Sequence, residues 1–281
     1  MSPAARPART FGSDLGRRVA TAVVVLPALL AGILLGPAWL RVGVVVVATG
    51  LGLLEFFALL QARDIVALRA PGVAAAAMFF TDASHPALVG VPLWPVGLLL
   101  LSAAALGRSS DVRASIPALA GTLLGAAYLG VFGGCLGGLA RLSPAGDGGR
   151  LLVLLLAIVM VSDALAFFVG HAVGRRRLAP RISPGKTVEG AAGGLLGGAL
   201  GALAVRTWLV PEIGPWAALG LGAVAAALGI AGDLFESLLK RWAGVKDSGG
   251  LFPGHGGMLD RLDSLLFAAP ALYALALLGR L

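Results

Sequence analysis

The residues from Asp233 to Asp263 include Ser237, Lys240, Arg241, Lys246, Asp247, Asp260 and Arg261, with His255 among them, in a chain otherwise mostly Leu, Ala, Val and Gly. Asp233, Ser237, Lys240, Arg241 and Gly244 follow i, i+4, i+7, i+8, i+11, so on a helix a carboxylate, a hydroxyl and two cations share one face. Asp233 lies within an apolar run, where a charge is retained when it is paired or faces a wet cavity, which makes it a functional candidate. Glu236 and Lys240, at i and i+4, account for each other as a helix-surface pair of about 0.3–0.5 kcal/mol. Ser248–Gly250 and Pro253–Gly257 interrupt the helix, and their glycines let the backbone approach another group closely. Asp260 and Asp263, at i and i+3, share a face if the next helix starts near Met258. Carboxylates converging with lysines and arginines suit a polyphosphate bound with a divalent cation: hard oxygen ligands hold the cation, and the basic groups and loop amides take the phosphate oxygens. The sequence has no Cys/His cluster for zinc and no GxxxxGK[ST] phosphate loop.

A second basic stretch, "RRRLAPRISPGKT" at 175–187, points to the same chemistry. It presents Ser183, Lys186 and Thr187 at a helix start, where the N-terminus favours an anion, and Pro184 and Gly185 suit a turn. Arg175, Arg176 and Arg177 serve equally well as substrate contacts or as topological anchors. Asp163, after Ser162, puts another carboxylate deep in an apolar segment. Glu55, alone in its apolar run, reads as an interhelical hydrogen-bonding residue, with a lipid access path as the alternative.

The elements that must position these groups are set by composition. The chain has 281 residues, is 58% hydrophobic and only 13% charged, and its mean hydropathy is +0.93, against about a quarter charged in a soluble domain. It reads as an all-α, multi-pass membrane protein with apolar segments near 19–39, 42–61, 71–83, 89–107, 115–139, 151–173, 188–209, 216–239 and 264–280. The short third segment, ending in Thr81–His85, leaves an eight-helix count with a re-entrant element open. With the N-terminus inside, seventeen Lys and Arg fall on the cytoplasmic side and five (Arg41, Arg141, Arg150, Arg206, Arg280) on the other, which favours nine spans and a cytoplasmic active site. The same asymmetry explains the net charge of +8 without nucleic acid. Residues 1–18 form a cytoplasmic tail, and 19–281 a single transmembrane domain with its catalytic half at about 151–281. The segment after Arg17 and Arg18 resembles a signal peptide but lacks a clear cleavage pattern, so it reads as a retained first helix. Small residues such as Gly193, Gly194, Gly197, Gly198 and Gly201, and Gly130, Gly133, Gly134, Gly137 and Gly138, are spaced for close helix approach. Cys135 has no partner and reads as a small apolar residue.

The run Ser237-x-Leu239-Lys240-Arg241-x4-Lys246-Asp247-x-Gly249-x2-Phe252-Pro253-x-His255-Gly256-Gly257-Met258-x-Asp260-Arg261-Leu262-Asp263 resembles the phosphatidate cytidylyltransferase, or CDP-diglyceride synthase, family. Leu178–Gly190, "LAPRISPGKTVEG", resembles a second element of that family. The resemblance is strong over roughly 162–264 and compositional before it. It implies transfer of CMP from CTP to phosphatidate, giving CDP-diacylglycerol and pyrophosphate. It also implies Asp233 and Asp260 as ligands of Mg²⁺, with Asp263 close by, and Lys240 and Arg241 as phosphate contacts. Ser237, Lys246, Asp247, His255, Gly256, Gly257, Arg261, Ser183, Lys186 and Asp163 then line the substrate site. The family further implies K⁺ as an accompanying ion, a homodimer, an inner-membrane location and a polar funnel open to cytosol and bilayer. Leu165, His171 and Val188 depart from the glycine, the basic residue and the tryptophan usual in the family, and bear on the sixth-helix side of the pocket.

In such a transfer the phosphatidate oxygen is already anionic, so positioning and charge neutralisation outweigh general-base catalysis. His255 is then expected to hydrogen-bond a phosphate or the loop rather than move a proton. Three other readings stay open: transfer to another lipid phosphate such as an ether-linked acceptor, a transporter using Asp163 and Asp233 as ion sites, and a lipid-binding scaffold.

Overall fold

The computed structural model describes residues 30–86, 88, 90–108, 111–142, 149–251 and 256–278. Its elements are α1 (Ala38–Gln61), α2 (Arg69–Ser84), α3 (Trp94–Leu106), α4 (Val112–Ala127), a π-helical turn (Tyr128–Phe132) running into α5 (Gly133–Arg141), α6 (Arg150–Val173), β1 (Arg177–Ala179), β2 (Ser183–Thr187), α7 (Val188–Leu209), α8 (Pro215–Ala243) and α9 (Leu259–Leu277). Five helical stretches are long and apolar enough to cross a membrane: α1, the continuous run from α4 through α5, α6, α7 and α8. The shorter α3 is also apolar. The tail and most of the 19–39 segment lie outside the described residues; the other apolar segments of the sequence coincide with α1 to α9.

Small residues set the packing of the carboxy-terminal helices. Along α7, a Cβ at Gly193 would meet Val169 at 2.7 Å, at Gly197 the Val161 carbonyl at 2.6 Å, and at Gly201 the Ala157 carbonyl at 2.9 Å, all on α6. On the next face of α7, a Cβ at Gly198 would come within 2.5 Å of Ala226 on α8. Backbones this close exchange dispersion and Cα–H contacts where lipid offers no hydrophobic driving force between helices. α6, α7, α8 and α9 share one buried cluster that includes Leu154, Ile158, Ala202, Ala225 and Leu272. α1, α2, α4 and the start of α9 share a second around Phe56, Phe57, Phe79 and Leu259. α9 belongs to both, so its first turn sits where the halves meet.

One boundary bears out the helical spacing and one stretch differs from expectation, and both matter for the site. α8 continues past the apolar segment's end at 239 to Ala243 and stops at Gly244, which adopts φ 77°; this left-handed cap keeps Lys240 and Arg241 on the last helical turns, as the Asp233–Gly244 spacing implied. The 175–187 stretch is a small antiparallel hairpin, β1 against β2, with Arg177 opposite Thr187 and Ala179 opposite Ser183. Its chain reversal is at Pro180–Ile182, closed by the Ile182 N–H donating to the Ala179 carbonyl at 3.1 Å, so Pro184 and Gly185 lie within a strand, not the turn. Thr187 ends β2 and caps α7, its hydroxyl accepting from the Gly190 N–H at 3.0 Å.

Candidate active site

The hairpin lays Lys186 beside α8, where its ammonium pairs with Asp233. Asp163 on α6 enters the same space, and the cavity these groups border, about 490 Å³, is also lined by His171, Arg177, Gly185 and Thr187. The second basic stretch and the α8 face thus meet, as their chemistry suggested. Ser237, one turn beyond Asp233, donates weakly to it at 3.4 Å. Arg241 donates to the Ile182 carbonyl at 3.3 Å, tying the end of α8 to the hairpin.

Deeper, Asp233, Glu236 and Asp263 each present an oxygen, and the three lie within 4.8 Å of one another. Glu236 is fully buried. It pairs with Lys240 as the i, i+4 spacing predicts, but not at the surface. No donor of good hydrogen-bond geometry reaches either of its oxygens among the described residues. Asp263 accepts the Ser264 N–H at 2.6 Å. Three carboxylates crowded together with few donors form a hard, anionic oxygen set, which is the kind of site Mg²⁺ takes.

Asp260 has different surroundings. One oxygen accepts from Lys240 at 2.6 Å. The other accepts from the Ser248 N–H at 3.0 Å, the Ser248 hydroxyl at 2.8 Å and the Gly257 N–H at 2.8 Å. Four donated hydrogen bonds, one of them from an ammonium, leave this partly buried carboxylate fully satisfied. Asp233 and Asp260, paired by the resemblance as metal ligands, therefore stand in separate groups, linked through Lys240 and Glu236.

Gly256 and Gly257 lie at the foot of the glycine loop, Gly256 with φ 80°. Ser183 opens β2. Lys246 and Asp247 are exposed after the end of α8, and Arg261 is exposed on the first turn of α9. His255 lies outside the described residues. Three groups that sequence reasoning undervalued take part. Glu236 was explained by its local partner, and only its burial shows otherwise. Glu55 does hydrogen-bond across helices, as read, but its partners are Ser248 and the N–H groups of Met258 and Leu259 at the foot of the loop. Tyr128, at the π-helical turn, packs edge-on against Phe235 and Phe267 at ring distances of 5.2 and 5.7 Å. Its buried hydroxyl has no partner among the described residues, and nothing in the local sequence signals this.

Fold and site together define a largely helical membrane protein with acidic and basic groups gathered at one end of its carboxy-terminal helices. The profile of the cytidylyltransferase family matches residues 16–278, and the chain belongs to that family. Among relatives, an uncharacterized Escherichia coli protein, YnbB, is 44% identical over 128 residues, 45% of this chain and 43% of that protein. The phosphatidate cytidylyltransferase of Thermotoga maritima is 45% identical over 126 residues, 43% of this chain and 47% of its own. That of Staphylococcus epidermidis is 36% identical over 178 residues, 63% of this chain and 66% of its own. The matched region thus spans less than half the length of the first two.

Proposed function

We propose that this protein transfers CMP from CTP to phosphatidate, releasing pyrophosphate and leaving CDP-diacylglycerol. The observation that carries this reading is that Asp163, Lys186 and Asp233 line one cavity while Asp233 also groups with the Glu236 and Asp263 carboxylates, and Glu236 pairs with Lys240. The names of the Thermotoga and Staphylococcus relatives support it.

Bringing phosphatidate to CTP means bringing anions together, and the chain's cations do this work. Lys186 and Lys240 are held by carboxylates until phosphate oxygens compete for them, and charge-assisted contacts of this type are the strong ones. Arg241, steadied on the hairpin carbonyl, adds a planar donor group at the same rim. Asp233, Glu236 and Asp263 would hold Mg²⁺, which when bound supplies charge neutralisation of the triphosphate. Asp260 joins that set if Lys240 leaves it for a substrate phosphate. The attacking phosphatidate oxygen needs alignment more than deprotonation.

In the same reading the protein spans the inner membrane nine times with its N-terminus and site facing the cytoplasm. It works as a homodimer, uses K⁺ beside Mg²⁺ and binds no nucleic acid. The test is purified protein in detergent with CTP, phosphatidate and Mg²⁺. Pyrophosphate and CDP-diacylglycerol are expected, and their absence alongside nucleotide-independent ion or solute uptake into proteoliposomes would replace this reading with the transporter. Competition between phosphatidate and an ether-linked lipid phosphate identifies the acceptor.

A further inference from the structure

We infer that Glu55 is a positioning residue, a cap supplied by α1 that fixes Ser248 and the first turn of α9, and with them Asp260 and Asp263. Its expected effect on turnover rests on the proposed transfer; the cap itself does not. The start of α9 has no side-chain cap of its own, and the first N–H groups of a helix need acceptors from outside it. Glu55 provides them. One oxygen accepts the Met258 N–H at 2.9 Å; the other accepts the Leu259 N–H at 2.8 Å and lies 3.0 Å from the Ser248 hydroxyl. A carboxylate is also the charge that a helix N-terminus favours.

Two described glycines, Gly249 and Gly257, abut this carboxylate. A Cβ at Gly249 would stand 2.5 Å from one Glu55 oxygen, and a Cβ at Gly257 would collide with the other. These two glycines of the motif therefore make room for a side chain about 200 residues earlier, rather than for a ligand. Ser248 continues the chain of contacts from Glu55 to Asp260, 2.8 Å away. The anchor is firm, because the next residues of α1, Phe56 and Phe57, are each 1% exposed in the core shared with α9. Among the described residues, the hydrogen-bond partners of Glu55 are not groups that line the Lys186 cavity, so it acts through Asp260 and Asp263, not on substrate.

The test compares full-length wild type, Glu55→Gln, Glu55→Asp, Ser248→Ala and Gly257→Ala in detergent. A Gln places an N–H₂ against at least one N–H group, so Glu55→Gln is expected to lower kcat by roughly ten- to a hundredfold, the range typical of groups that orient a site from behind, with KM for CTP little changed. Glu55→Asp should recover part of the loss, and Ser248→Ala should add little to Glu55→Gln. Independently of activity, hydrogen exchange at 256–262 should quicken in Glu55→Gln and Gly257→Ala while α6 and α7 stay as in wild type. Unchanged exchange at 256–262, quickening spread through all helices, or wild-type kcat in Glu55→Gln would each overturn the inference. Should Glu55→Gln fail to fold, Gly257→Ala and Ser248→Ala decide by the same two readouts. A wild type without turnover would refute the proposed transfer and leave the exchange result to judge the cap.

Discussion

Asp260 and Asp263 leave the same turn of α9 and meet opposite surroundings. Asp260 is satisfied by an ammonium, a hydroxyl and two backbone N–H groups. Asp263 faces Asp233 and Glu236 and accepts only the neighbouring Ser264 N–H among the described residues. A carboxylate with a full set of donors is already neutralised and fixed in place, and works as part of the scaffold. Carboxylates that face each other with few donors keep a demand for positive charge, which a divalent cation meets. In the proposed transfer, residues three apart would thus divide the work of a site, one holding the frame and the other offering a place for a cation.

The comparison can be broken most directly by Asp263→Asn. It is expected to lower pyrophosphate release by roughly a thousandfold, the scale of losing a preorganised electrostatic group, whereas Asp260→Asn, whose amide oxygen can still take the Ser248 and Gly257 donors while only the Lys240 contact is lost, should lose less. Equal losses would mean that Asp260 exchanges Lys240 for the cation during turnover. Removal of divalent ions with a chelator should abolish turnover reversibly. In Glu236→Gln the Mg²⁺ needed for half-maximal rate should rise about ten- to a hundredfold, while in Asp260→Asn it should move little; titrating Mg²⁺ in both variants measures this. Lys186→Met removes the cation from the cavity side of the comparison and should raise KM for CTP by about tenfold, the worth of one hydrogen bond to a charged group. The smallest effect belongs to the frame of the hairpin. Thr187→Ala loses the cap of α7, costs about 1 kcal/mol and should lower Tm by roughly 2–4 °C with turnover retained, which a thermal melt beside the release assay checks.

Much of this was legible in the chain itself. Apolar runs of spanning length located most of the helices, because the 3.6-residue repeat and the hydrocarbon thickness leave few alternatives. The spacing from Asp233 to Arg241 correctly put a carboxylate and two cations along the end of one helix. The glycines of α7 packed as their spacing implied. The hairpin at 177–187 was not legible, since Pro184 and Gly185 are turn residues by local preference and only pairing with β1 draws them into a strand.

The sequence by itself determined which groups exist and which of them share a helical face, because both follow from local periodicity. Tertiary structure alone decided the partners. It buried Glu236, which its i, i+4 lysine had seemed to explain. It gave Asp260 to Lys240 and Ser248 rather than to Asp233. It brought Glu55 from the first described long helix to the start of the last, 204 residues on. Hydrogen bonding and desolvation act over a few ångströms of space, and separation along the chain carries no record of such distances until the helices pack.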